Sequence, residues 1–335
     1  MKYLFELSKE HKTLPKAEIL SCLSTENINY QILVSNEDIL LIESNSKIRK
    51  INQLTNRLSF TFFINEFMFS SDHSIKDVKE SASKNLLSKS GSVAIKYKNR
   101  SNNINSQPIV KTLAEVYTKN RKVLLENPEI EIRVMITDSK LYVGSKISEI
   151  DRSQFEERKV QHRPFFSPIS LHPKVARALV NLTSIKRDEV LLDPFCGTGG
   201  ILLEAGLMGI KVIGSDIEEK MIGGCKKTLD FYNIKNNKLL CSDIGGIQNY
   251  IDKVDAIATD LPYGKSTTTK GEKMDKLYER AFESMSKLLK KDGKAVIGLS
   301  KKDLIHLGLK YFNLEEKYDF KIHRSLTRYF VVYRK

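Results

Sequence analysis

A chain of 335 residues exceeds the roughly 100 to 200 residues of a common domain and implies two or three of them. The hydrophobic fraction of 41%, the mean hydropathy of -0.32 and the lack of any apolar run near the roughly 20 residues that cross a bilayer exclude a membrane protein. Charge at Lys2, Glu6, Lys9 and Glu10 comes too early for a secretory leader, so the expectation is a cytoplasmic protein without a membrane partner.

The net charge of +14 is a long-range field whose common partners are nucleic acids or anionic membranes. Cys22, Cys196, Cys225 and Cys241 are far apart, with no Cys-x-x-Cys pair for zinc and no dense framework for disulfides. Reduced thiols and no metal are expected.

In chain order, residues 1–60 read as a small mixed unit, with a helix over 15–23 and strands over 30–33 and 39–42. The polar stretch Ser70-Ser71-Asp72-His73-Ser74 opens a further helical segment, followed by strands over 92–97 and 129–136 and a helix over 110–118. This second unit spans 61–150. Residues 151–164 are charged and aperiodic, which predicts a linker there.

From residue 189 the pattern becomes regular. Short apolar runs at 189–192, 211–215, 238–241, 254–259 and 294–299 alternate with amphipathic segments, as parallel strands alternate with crossover helices. Met274, Leu277, Tyr278, Ala281, Phe282, Met285, Leu288 and Leu289 recur at three- and four-residue steps, which predicts a helix with one face on the sheet. Lys290-Lys291-Asp292-Gly293 reads as its stop, cations in the last turn followed by glycine. Runs at 313–321 and 328–333 predict an antiparallel hairpin, which an ordinary dinucleotide-binding sheet does not carry at this place.

The first motif is Asp193-Pro194-Phe195-Cys196-Gly197-Thr198-Gly199-Gly200, between a strand and the apolar helix over 201–208. Glycines let a ligand approach the backbone, and the amides at the helix start receive a polar group. No Gly-Lys-Ser/Thr follows, so this is no Walker A loop, and an acid at the strand end suits an amino group better than a pyrophosphate. Asp216 ends the next strand, where an acid bonds a ribose diol, and Asp243 follows the third, where it accepts a bond from an adenine amine. A lone Asp is more often a turn or cap residue. Three of them at consecutive strand ends describe a ligand with a ribose, an adenine and a cationic amino-acid end.

The fourth motif, Asp260-Leu261-Pro262-Tyr263, closes the following strand. An aromatic amine is a poor nucleophile because its lone pair is delocalised into the ring. A carboxylate and a backbone carbonyl that accept its two N–H bonds favour pyramidalisation, and a tyrosine stacks on a base turned out of its helix. The loop Gly264-Lys265-Ser266-Thr267-Thr268-Thr269 adds groups that hold phosphates, with a solvated loop as the equal alternative. His162, His172 and His323 are isolated and read as surface or packing residues.

These motifs, in this order, resemble those of class I S-adenosylmethionine-dependent amino-methyltransferases. Arg163-Pro164-Phe165-Phe166-Ser167-Pro168, the helix beginning His172-Pro173-Lys174, and the tail over 263–269 resemble the archaeal-type tRNA (guanine-10, N2) methyltransferase family. Residues 92–100 and 127–134 are similar to strands of a THUMP domain. The resemblance implies an α/β fold: a Rossmann-like methyltransferase sheet with a C-terminal antiparallel hairpin over 165–335, preceded by α+β ferredoxin-like (1–60) and THUMP (61–150) domains.

It further implies S-adenosylmethionine as cofactor, held by Asp193, Phe195, Cys196, Gly197, Thr198, Gly199, Asp216, Ile217, Asp243 and Ile244, with S-adenosylhomocysteine as product. Catalysis falls to Asp260, Leu261, Pro262 and Tyr263, and tRNA contacts to Lys96, Lys98, Arg100, Arg121, Lys122 and Lys265. The family usually has proline where this chain has Leu261; the carbonyl acceptor survives, while the turn loses one conformational restraint. The implied function is transfer of one or two methyl groups to N2 of guanosine 10 in tRNA. The alternatives are a THUMP-linked guanine-N2 enzyme acting elsewhere in tRNA or rRNA, an adenine-N6 RNA methyltransferase, and a non-catalytic RNA-binding protein. Oligomeric state is left open by the sequence.

Overall fold

The computed structural model describes residues 1–167, 170–263, 273–323 and 326–335. The chain folds as two units, one of Met1–Lys16, Ile28–Thr55 and Thr61–Asp151, the other of Ala17–Asn27, Asn56–Phe60 and Arg152–Lys335.

The first unit is built on β1 (Lys2–Leu7), β2 (Gln31–Ser35), β3 (Ile39–Glu43), β4 (Thr61–Ser71), β5 (Val93–Asn99), β6 (Ile130–Ile136) and β7 (Leu141–Glu149). These form one sheet in the order β2-β3-β1-β4-β7-β6-β5. The long β4 pairs antiparallel with β1 and with β7, so the sheet runs without interruption from residues expected in a 1–60 unit into those expected in 61–150. Helix α1 (Leu14–Thr25) only begins in this unit, whereas α2 (Ile48–Asn52), α3 (Ile75–Lys84) and α4 (Ser106–Tyr117) belong to it. Ser74 caps α3 by accepting from Asp77 N at 3.1 Å, and Asn105 caps α4 by accepting from Gln107 N at 3.1 Å, as short polar side chains do at helix starts. Val78 and Ala82 of α3, with Ile109, Leu113 and Tyr117 of α4, then close over Phe69, Val93, Ile132 and Val143 of the sheet.

Two early segments fold with the second unit. Glu18 is fully buried, and its carboxylate accepts from the backbone N–H groups of Ser59 and Phe60, from the Ser59 hydroxyl, and from Asn181 Nδ2 at 2.8 Å. The stretch read as a linker packs here too. It holds α5 (Ser153–Glu157) and sends Arg158 to Glu204, at 2.8 and 3.1 Å. Charge made these residues look solvated; Glu204, hidden in an apolar helix, is their partner.

After α6 (Pro173–Leu182), which His172 caps through Nδ1, the second sheet begins. It comprises β8 (Val190–Asp193), β9 (Lys211–Asp216), β10 (Asn237–Cys241), β11 (Val254–Asp260), β12 (Leu289–Leu299), β13 (Asn313–His323) and β14 (Leu326–Arg334). Between them stand α7 (Gly200–Leu207), α8 (Glu219–Phe231), α9 (Met274–Leu288) and the short α10 (Ile305–Gly308). The order is β10-β9-β8-β11-β12-β14-β13. The first five strands are parallel and β14 lies antiparallel between β12 and β13, so the expected C-terminal hairpin closes the sheet. The strand order reverses between β8 and β11, and parallel sheets bind ligands outside strand ends at such a switch point.

One helix stop differs from expectation. α9 ends at Leu288, and residues 290–293 already belong to β12. The left-handed residue is Asp292, at φ 62°, whereas Gly293 is needed for close approach: a Cβ there would stand 2.9 Å from the Asp255 carbonyl oxygen and 2.8 Å from Leu289.

Candidate active site

The carboxyl ends of β8, β9, β10 and β11 open on one cavity of about 200 Å³. Its lining includes Asp193, Phe195, Cys196, Gly197, Thr198, Asp216, Ile217, Asp243, Ile244 and the whole segment Asp260, Leu261, Pro262 and Tyr263. Every residue assigned from sequence to cofactor or catalysis therefore meets here except Gly199. That glycine is the N-cap of α7 in the left-handed region at φ 80°, and a Cβ on it would stand 2.6 Å from Cys225 Sγ. It shapes the turn and lets α7 and α8 approach.

The glycine loop is tied down by the acid of the next strand. Gly197 N and Glu218 N both donate to Asp216 at 3.0 Å. Asp193 accepts from Thr259 Oγ1 at 2.7 Å and from Phe195 N at 3.2 Å. Burial pushes the Asp193 carboxyl up to about 7, with the nearby charges of Asp260 and Asp216 adding to it; burial raises Asp216 as well. Asp243 differs, because Arg280 of α9 grips it through both nitrogens at 2.7 and 3.1 Å and holds its carboxyl below the usual range.

Asp260 is held from two sides. Its Oδ2 is 2.9 Å from Arg328 Nη1 of β14, with side-chain exposures of 15% and 7%, and its Oδ1 accepts from the Tyr263 hydroxyl. The Arg328 guanidinium also lies 4.7 Å from the centre of the Tyr263 ring, within cation–π range. Burial raises the Asp260 carboxyl and Arg328 opposes that shift. The Tyr278 hydroxyl donates to the Pro262 carbonyl at 2.7 Å, which fixes the turn from α9. Leu261 fills a buried position in one apolar cluster with Ile257 and Leu277, and its N–H donates to the Gly298 carbonyl at 3.0 Å. Proline could not make that bond. The restraint lost with proline is thus replaced by a backbone hydrogen bond from the turn to β12.

Sequence reading missed Arg328, Arg280, Tyr278 as a donor, and Gly298. Only Gly298 carried a signal, since an isolated glycine within a strand marks close approach. It pairs across from Asp260, and a Cβ on it would stand 2.3 Å from Asp260 Oδ1.

The residues expected to contact RNA are divided. Lys96, Lys98 and Lys122 are exposed, with Lys96 paired to Glu131 at 3.1 Å. Arg100 donates to the Leu7 carbonyl at 3.0 Å, and Arg121 to the carbonyls of Gly91 and Leu87 at 3.3 Å, so both hold backbone. Lys265 and the hydroxyl-rich residues 266–269 lie outside the described residues, as does the side chain of His323. Among the described residues no cluster of His, Cys, Asp or Glu could hold a metal, and no helix is long and apolar enough to cross a membrane.

A family profile described as "RMKL-like, methyltransferase domain" matches residues 160–329, which hold the cavity and the second sheet as far as the first residues of β14. A second, described as "DNA methylase", matches 36–227 and stops short of Asp243 and Asp260. The tRNA (guanine(10)-N2)-dimethyltransferase of Methanothermobacter thermautotrophicus is 34% identical over 332 residues, 98% of each chain. The chain belongs to this family. Among solved structures, TrmN from Thermus thermophilus superposes with a TM-score of 0.62 at 18% identity over 100% of both chains. SMU.472, solved in complex with SAH, does so at 0.56 and 14% identity, covering 98% of this chain and 97% of its own. The fold is that of the class I methyltransferases.

Gly298→Ala should lower stability by about 1 to 3 kcal/mol, because the new methyl must displace Asp260 or β14. Gly223→Ala, at a helical position with nothing within 4 Å, should raise it by about 0.5 to 1 kcal/mol. Thermal melting of the two variants, read against the parent chain, should give shifts of opposite sign.

Proposed function

We propose that this chain transfers one or two methyl groups from S-adenosylmethionine to N2 of guanosine 10 in tRNA. The observation that carries the reading is the placement of the Asp260 turn on the same cavity as the strand-end acids Asp193, Asp216 and Asp243, in a chain of this family. The cavity suits the cofactor chemically, offering one acid for an ammonium group, one for a ribose diol and one for an adenine amine. S-adenosylmethionine supplies a methyl group on a sulfonium, which an amine can attack directly.

The residues of the chain supply the rest. Asp193 receives the ammonium, Asp216 the ribose hydroxyls and Asp243 the adenine, each carboxylate keeping acceptor capacity beyond the bonds described. Asp260 accepts one N–H of the guanine amine and holds the proton that leaves, and the Leu261 carbonyl accepts the other. An amine that reaches Oδ1 takes the place of the Tyr263 hydroxyl and frees that ring to stack on the base. Arg328, 2.9 Å from Oδ2, opposes the rise that burial imposes on the Asp260 carboxyl and so favours its acceptor form. In the first unit, residues 61–150 act as a THUMP domain, and exposed Lys96, Lys98 and Lys122 supply a field for tRNA phosphates.

Asp260→Ala should abolish incorporation of labelled methyl into tRNA while S-adenosylhomocysteine still binds; unchanged turnover would contradict the catalytic assignment. Asp193 gives a pH test. With its carboxyl at about 7, the anion that an ammonium needs is lost as pH falls, so affinity for S-adenosylhomocysteine should drop about tenfold per unit below that value and level off above it. A flat calorimetric profile between pH 6 and pH 8, a range of about two units around that value, would remove Asp193 from this role.

A further inference from the structure

The segment that precedes α6 carries a charge the mechanism does not use. Arg158, Arg163 and Arg177 are all buried, with residue exposures of 8%, 5% and 4%, around one carboxylate, Glu204, that is fully buried. Glu204 is already shared by two of them. Its Oε1 accepts from Arg158 Nε at 2.8 Å, and its Oε2 accepts from Arg158 Nη2 at 3.1 Å and from Arg177 Nε at 2.9 Å. Two further arms are also occupied, Arg158 Nη1 by Gln154 and Arg177 Nη1 by the Asn56 carbonyl. Arg163 donates through Nε to the Arg158 carbonyl at 2.8 Å. Its Nη1 and Nη2 are buried and have no hydrogen-bond partner among the described residues.

A buried guanidinium with two unpaired nitrogens is costly unless an anion meets it. The direction it faces is given by Gly200, the first residue of α7. A Cβ built there would stand 3.1 Å from Arg163 Nη1 and 3.3 Å from Ser170 Oγ, and both Gly200 and Ser170 line the cavity. A helix start adds unpaired backbone N–H groups and the positive end of the helix dipole. Three kinds of donor therefore meet at the end of the glycine loop opposite Asp193.

We infer that Arg163, with Ser170 and the first turn of α7, binds the carboxylate of the cofactor's amino-acid end. This rests on the reading that the cavity takes S-adenosylmethionine, whose ammonium and carboxylate sit on one carbon, so that Asp193 and Arg163 divide a zwitterion between them. Arg163 is then a binding residue for the cofactor, and the excess of positive charge in the cluster is a standing requirement for an anionic ligand group.

Calorimetry with S-adenosylhomocysteine and with its decarboxylated analogue tests this on the intact chain. The parent protein should prefer the carboxylate form by on the order of 10- to 100-fold, the size of one or two charge-assisted bonds. Arg163→Met should weaken S-adenosylhomocysteine by that factor and leave the analogue's affinity unchanged, and Arg163→Lys should restore part of the preference. Equal affinity of the parent protein for the two ligands overturns the proposal without any variant, and equal weakening of both by Arg163→Met overturns it by making the role structural. Failure of the parent protein to bind either ligand overturns the cofactor reading and this proposal together.

Discussion

Asp193, Asp216 and Asp260 stand at the carboxyl ends of neighbouring parallel strands, largely withdrawn from solvent, and open on one cavity. Burial raises the carboxyl of each, and for Asp193 the other two charges add to it. Such an arrangement persists only when the surroundings offset it. Backbone N–H groups of the glycine loop and of Glu218 hold Asp216, the Thr259 hydroxyl holds Asp193, and Arg328 holds Asp260. The strand order follows the same requirement. Placing β14 between β12 and β13 brings Arg328 across from Asp260, with Gly298 on the strand between them leaving room for the carboxylate.

The opposite imbalance lies at the other end of the glycine loop. Three arginines surround one glutamate there, and one guanidinium is left with two nitrogens unpaired among the described residues. A cavity flanked by excess negative charge at Asp193 and excess positive charge at Arg163 is matched electrostatically to a zwitterion, and an adenosine-bearing amino acid is one. A carboxyl raised by burial at Asp193 and a buried guanidinium with two nitrogens unpaired among the described residues at Arg163 are departures from full compensation of the kind binding sites keep when stability is given up for ligand recognition.

Much of the second unit was legible in the sequence because its chemistry restricts residue types: acids at strand ends, glycines in the loop, Asp-Leu-Pro-Tyr after β11. What stayed hidden depends on partners distant in the chain. Arg158 and Arg163 looked like linker charges because Glu204 sits within an apolar helical run. Arg328 lies in a strand whose other residues are mostly aromatic and β-branched, and nothing local marks it as the mate of Asp260, 68 positions earlier by the difference of their numbers. Leu261 looked like a lost restraint, since a backbone bond to Gly298 leaves no trace in sequence. In the first unit β4 and β7 were not anticipated; buried and half-buried residues run together along both strands, without the clean alternation that betrays a strand.

On the proposed function the Asp260 turn methylates the exocyclic amine of one guanine in tRNA. Nucleoside mass spectrometry of an unmodified tRNA transcript, incubated with the chain and S-adenosylmethionine and then mapped by position, tests it most directly. The expected product is N2-methylguanosine or N2,N2-dimethylguanosine at position 10. N6-methyladenosine, a methylated guanine elsewhere, or an unmodified transcript would contradict it.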